Sequence, residues 1–167
     1  MDTKLFVHIL ILCILAVMEN TLNISALNMR ALTSAKPYPF QLSQSSDVIV
    51  FAEHRLYNCE LYKLRDCIPG FSIHAKASGD LEDKNLHYKP GHCGIGLAWN
   101  KKFDKYIKIV NTRSDRICAI EMIGCGKNKA NLFIIGVYLP HQACTISDFG
   151  SHLAELENVI QMCQQSG

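Results

Sequence analysis

The chain lacks most of the motifs that would settle its chemistry at once. It holds eight cysteines in 167 residues, yet no two stand as a Cys-x-x-Cys pair, so the usual zinc and thioredoxin spacings are missing. Gly91-His92-Cys93-Gly94-Ile95-Gly96 has the wrong glycine order for a dinucleotide fingerprint and precedes strand-like sequence instead of a helix. Gly124-Cys125-Gly126-Lys127 lacks the Ser or Thr and the upstream glycine of a phosphate-binding P-loop. There is no internal repeat and no low-complexity tract. Nor is there an excess of one charge: the formal net charge is +2, which argues against a partner held by the field of the whole surface. Nucleic acid stays open only through local clustering of Lys and Arg.

What remains is the composition of an ordinary domain. At 49% hydrophobic residues, a chain of this length buries a substantial core. Cys93, Cys118 and Cys144 sit in or beside apolar runs, where a free thiol behaves as a small buried hydrophobe. A disulfide framework is the competing reading of an even cysteine count.

Residues 5–18 are apolar apart from His8, with Lys4 before them and Glu19-Asn20 after. As a helix they would reach about 21 Å, against the roughly 30 Å of a bilayer core, so no stable transmembrane span is expected. The length suits the h-region of a secretory signal, although Ala16-Val17-Met18 is a poor cleavage site. A signal would also make Asn23-Ile24-Ser25 a glycosylation sequon inside the first predicted strand. Residues 1–20 are therefore read as a signal-like segment or unstructured tail, and residues 21–167 as one domain.

Along that domain, strand-like runs alternate with helical ones. Residues 22–27 run into Asn28, and residues 33–46 read as a loop followed by a short helix, since two prolines fit only near its start. Residues 47–52 are a run of strand character that leads into Glu53, the mark of a strand covered on both faces. A helix is predicted over 56–68, stopped by Pro69-Gly70. Strands are predicted at 71–75, 94–99, 106–110 and 116–123, with a long surface loop over 77–92. Turn chemistry at 124–128 makes the last of these a hairpin with the run at 131–138. Phe149, Leu153, Leu156, Ile160 and Cys163 recur at helical spacing, and Thr145 or Ser147 can cap the helix. Mixed elements of this kind point to an α/β or α+β layered protein.

Three strands thus each end in a polar residue. Glu53 offers a carboxylate for a hard cation such as magnesium, which wants oxygen ligands; its plain alternative is an ion pair with Arg55. Asn28 can give a neutral oxygen to the same ion or a donor to a phosphate, and its plain role is to start a turn. Tyr138 can donate its phenolic proton to a phosphate oxygen, with Pro140 stiffening the loop behind it; its plain role is an amphipathic residue at a strand end. His87, His92 and Cys93 lie close enough to suggest zinc, but no fourth ligand stands at a recognisable spacing.

Taken together and in order, these segments resemble the endonuclease/exonuclease/phosphatase superfamily, and within it the apurinic-type endonuclease domains of LINE-like retroelements. The matching pieces are Leu27-Asn28-Met29-Arg30-Ala31-Leu32, Asp47-Val48-Ile49-Val50-Phe51-Ala52-Glu53-His54-Arg55-Leu56, Gly94-Ile95-Gly96-Leu97-Ala98-Trp99, Ser114-Asp115-Arg116-Ile117 and Ile135-Gly136-Val137-Tyr138-Leu139-Pro140. The resemblance covers residues 22 to about 165. It implies a DNase I-like two-sheet α/β sandwich flanked by helices, hydrolysing DNA phosphodiesters with magnesium. Glu53 would be the direct metal ligand, Asn28 would support the metal or phosphate, and Tyr138 would bond the scissile phosphate. Asp115-Arg116 would be structural or DNA-facing. His141 stands where the family often has a small residue or a second proline.

Two parts of the family pattern have no counterpart here. The Gly-Asp-x-Asn and Ser-Asp-His motifs are absent; Asp83-Lys84-Asn85 has a similar spacing but follows no apolar strand. The resemblance therefore implies a fold incomplete at its C-terminus, weak or absent magnesium binding and no turnover by the isolated chain. It also implies an uncovered sheet face prone to self-association. Localisation would be nuclear or cytoplasmic on this reading, or secretory if residues 1–20 act as a signal. A rival from another class is a secreted binding protein without enzymatic activity, linked by four disulfides.

Overall fold

The computed structural model describes residues 9–14, 22–77, 93–125, 130–139 and 146–166. They form two sheets of four strands, packed face to face, with helices on both outer surfaces. The first sheet contains β2 (Ile24–Asn28), β3 (Val48–Ala52), β5 (Ile95–Asn100) and β4 (Phe71–Lys76), in that spatial order. β2 and β3 run parallel, and the other pairs are antiparallel. The parallel pair requires a crossover, which is supplied by two short helices, α1 (Leu32–Ala35) and α2 (Pro37–Ser43). The second sheet has the order β1 (Ile9–Ile14), β8 (Leu132–Tyr138), β7 (Ile117–Met122) and β6 (Ile107–Val110), antiparallel throughout.

Side-chain alternation explains the layers. Every residue of β3 is buried. Val48, Val50 and Ala52, with Leu97 and Trp99 of the same sheet, face the second sheet, where they meet Ile120 and Ile134, while Ile49 and Phe51 face outward onto Leu32, Leu56, Leu64 and Ile68. This is why the strand reads as one continuous apolar run. Across the sandwich, Ile117, Ala119, Phe133, Ile135 and Val137 point away from the first sheet onto Leu156, Val159 and Cys163 of α4 (Ile146–Ser166). The sheets approach closely at Gly136, where a Cβ would stand 2.8 Å from Val50 Cγ1.

Several expectations are corrected. The sequence predicts one helix over 56–68; the chain instead forms a 3-10 turn at Asn58–Glu60 and a shorter α3 (Tyr62–Cys67). The predicted apolar face of the last helix includes Phe149 and Leu153, but both are exposed and Val159 is buried in their stead. A spacing of three or four places several residues near a stripe without saying where along the helix the sheet ends. No strand is predicted within residues 1–20, yet Ile9–Ile14 lies along the edge of β8, with Ile9 opposite Tyr138 and Ile14 opposite Phe133. An Ile- and Leu-rich run suits a sheet edge as readily as a signal, because both select for apolar side chains.

The sheet face expected to be bare is covered where it is described, since the inner faces of the two sheets cover each other. The four disulfides of the rival reading do not appear among the described residues, where Cys59, Cys67, Cys93, Cys118, Cys125 and Cys163 are free. Cys118 lies wholly inside, and burial pushes its thiol up to about 12. Among the described residues no helix is long and apolar enough to cross a membrane. Residues 83–85, His87, His92, Pro140, His141 and Cys144 lie outside the described residues.

Candidate functional site

At one end of the sandwich several strand ends converge. β2 and β3 end there together because they are parallel, and β5 starts there because Ile95 pairs with Ala52. In the other sheet β8 ends and β7 begins at this rim, with the backbone N–H of Tyr138 donating to the Arg116 carbonyl at 3.0 Å. Asn28, Glu53, Arg116 and Tyr138 are each the last or adjoining residue of one of these strands.

Glu53 sits in a backbone built with unusual care. Its φ is +58°, that of Arg55 is +56° and that of Cys93 is +60°, conformations that side chains larger than glycine rarely take. Hydrogen bonds hold them: Glu53 N–H donates to Gly94 O at 2.7 Å and Arg55 N–H to Cys93 O at 3.0 Å. Left-handed residues kept in place by surrounding bonds are found disproportionately at functional sites. The Glu53 side chain is only about one-tenth exposed, and one of its oxygens is ion-paired with Arg55, whose side chain reaches further into solvent. The plain role foreseen for Glu53 is thus present in the structure.

His54, between them, is fully buried. Its Nδ1 accepts from the Leu56 N–H at 3.1 Å, which leaves Nε2 as the protonated nitrogen, donating to the Lys76 carbonyl at 3.1 Å. Burial holds its pKa below the usual histidine range, and the bond to Lys76 only partly opposes this. Gly94, at φ +95°, packs against the ring so tightly that a Cβ there would lie 2.3 Å from Cε1.

Asn28 begins a turn, as its plain role foresees: Oδ1 accepts from the Arg30 N–H at 3.0 Å. Its Nδ2, however, is buried and has no hydrogen-bond partner among the described residues. Met29 N–H donates to Ala52 O and Leu32 N–H to His54 O, so the segment after β2 is tied to the Glu53 loop.

Tyr138 is 8% exposed. Burial pushes its phenol above the usual range, and the nearby Glu53 carboxylate and Cys93 push the same way, while Arg116 and Arg55 oppose them. The phenol therefore keeps its proton at neutral pH and remains a donor. The Arg116 guanidinium lies over the Tyr138 ring, 5.8 Å from its centre. Glu53 and Tyr138 thus come into electrostatic reach of each other from opposite sheets. Asn28 pairs with Ala52, the residue before Glu53, on the neighbouring strand.

The rim also contains groups whose importance single residues in the sequence do not signal. His54, Gly94 and Lys76 act through the loops they hold, and the resemblance gives Arg116 only a structural or DNA-facing role, not a catalytic one. The signal available for Gly94 was its place between a cysteine and a strand.

Magnesium fits this donor set poorly. It takes oxygen ligands in a near-octahedral array. Glu53 has one oxygen committed to Arg55, Asn28 Oδ1 is committed to Arg30, and the unpaired atom of Asn28 is a donor. Among the described residues no three His, Cys, Asp or Glu side chains gather as a metal site. The two unpaired donors at the rim, Asn28 Nδ2 and Arg116 Nη1, suit an anion better than a cation.

No protein-family model matches the chain, and no curated protein matches it. Among solved structures, it is similar to the AP endonuclease LMAP from Leishmania major, with a TM-score of 0.54 and 10% identity. The likeness covers 83% of this chain and 49% of that one, so the chain spans about half the length of the solved structure it matches. At this identity the likeness shows the fold: a partial DNase I-like two-sheet sandwich.

Proposed function

We propose that the rim is the phosphate-binding part of a retroelement-type centre that hydrolyses DNA phosphodiesters. The observation that carries this reading is the meeting of Tyr138 and Glu53, from the ends of β8 and β3, with two buried donors at the same rim that have no partner among the described residues. In it, Tyr138 donates its phenolic proton to a phosphate oxygen, Arg116 and Asn28 Nδ2 face the same anion, and Arg55 holds the Glu53 carboxylate in place. A fold shared with an AP endonuclease supports the reaction class; the nucleic acid, the metal and the retroelement relationship are part of the proposal. Because the rim offers magnesium too few free oxygen ligands, this chain by itself is expected to bind DNA without cutting it.

The test uses pure protein and a short fluorescent DNA duplex with one abasic-site analogue. Tyr138→Phe is expected to weaken binding about tenfold, the scale of one hydrogen bond to a charged group. Supercoiled DNA in magnesium is expected to stay intact. Unchanged affinity in Tyr138→Phe would overturn the phosphate role, and Glu53-dependent nicking would overturn the incompleteness.

A further inference from the structure

Besides Arg55, which is paired with Glu53, two cations stand near the rim, and they differ in what their hydrogens already do. Lys76, the last residue of β4, donates to the carbonyls of Thr112 and Ser114 and to the Thr112 hydroxyl, with 2.8 Å to Ser114 O. Those three bonds use all three hydrogens of an ammonium. Burial holds the Lys76 pKa below the usual lysine range, while Cys118, Asp115 and Glu155 oppose the shift. Lys76 therefore has nothing left to offer a ligand.

Arg116 is the reverse. Its Nη1 is buried with no partner among the described residues, and its guanidinium lies over Tyr138. A buried guanidinium nitrogen left unpaired is costly unless a ligand satisfies it.

The two are joined by a continuous chain of bonds. Thr112 and Ser114 are buried, and the Thr112 hydroxyl donates to Ile117 O. Ser114 Oγ accepts from the Arg116 N–H at 3.2 Å, and Arg116 O accepts from the Tyr138 N–H. The Lys76 carbonyl meanwhile accepts from His54, next to Glu53. One lysine thus anchors both the segment that presents Arg116 and the loop that presents Glu53.

We infer that Arg116 is the cation that contacts a DNA phosphate at the rim, and that Lys76 is the positioning residue holding it there. The inference rests on the proposed phosphate-binding role of the rim. Losing one cation from a phosphate lowers the slope of log affinity against log salt by about 0.9. Arg116→Gln is therefore expected to bind the abasic duplex about tenfold more weakly, with a slope lower by about that amount. Lys76→Met should show the same slope loss although Lys76 touches no phosphate, and the double variant should be no weaker than Arg116→Gln alone.

A purely structural role for Lys76 would lower thermal stability and leave the slope of the folded protein unchanged. That result, or additive losses in the double variant, overturns the positioning role. Should Lys76→Met fail to fold, Thr112→Val carries the same test, because it removes a side-chain acceptor of the Lys76 ammonium and leaves the lysine in place. A wild-type slope in Arg116→Gln overturns the phosphate contact while leaving the proposed function standing. Wild-type protein with no affinity for the duplex overturns both.

Discussion

Replacing Gly94 by alanine is expected to destabilise the protein by about 4 kcal/mol and to displace Glu53, the sum of left-handed backbone strain and overpacking. Gly94 adopts φ +95°, which an L side chain takes only under strain. The added Cβ would also meet His54 Cε1 at 2.3 Å and Nε2 at 2.5 Å. The ring has nowhere to turn, since it is fully buried and hydrogen-bonded through both nitrogens. Relief must come from the backbone, and the backbone of Gly94 accepts from the Glu53 N–H. The effect should appear as a lower urea midpoint with an unchanged m-value. His54→Ser in the same chain should restore the steric part and not the strain. A Gly94→Ala protein within about 1 kcal/mol of wild type would show that the loop is not packed as described.

Acid should weaken the fold well before its carboxylates protonate. Burial holds the pKa of both His54 and His74 below the ordinary value of 6.5, and Lys76 adds to the effect at His74. His74 Nε2 is buried without a partner among the described residues, and His54 Nδ1 already faces an N–H donor, so neither ring gains from a second proton. In the unfolded chain both protonate near their ordinary value. Below pH 6.5 the unfolded state therefore binds more protons than the folded one, and stability falls as pH falls. The contribution is complete above pH 6.5 and is lost towards the lowered folded values, at up to about 1.4 kcal/mol per pH unit for each ring. Urea unfolding at neutral pH and at pH 5 checks this, and His74→Leu should flatten the dependence. Equal stability at the two pH values would contradict it.

The elements that were legible in the sequence share one property: their burial is decided by their own strand. β3, β5, β7 and β8 are buried on both faces, so their apolar runs stand out whatever surrounds them. The hairpin of β7 and β8 was legible because turn residues separate two such runs. What was not legible depended on partners far away in the chain. The strand at Ile9–Ile14 exists through its pairing with β8, and an apolar run alone does not reveal the pairing. The docking face of α4 depends on where the sheet beneath it ends. In the candidate site, Asn28, Glu53 and Tyr138 were readable as polar residues closing strands, whereas Lys76 and His54 look unremarkable in sequence. Their roles come from bonds to residues 22 to 38 positions away.

The most direct measurement is a titration of the isotopically labelled protein with the abasic duplex, following backbone and side-chain resonances. The account predicts that the shifts concentrate on Asn28, Glu53, Arg55, Arg116 and Tyr138, from four strand ends brought to one rim. Shifts confined to the lysine-bearing segment Lys101–Tyr106, at the far end of β5, with the rim resonances unmoved, would contradict it.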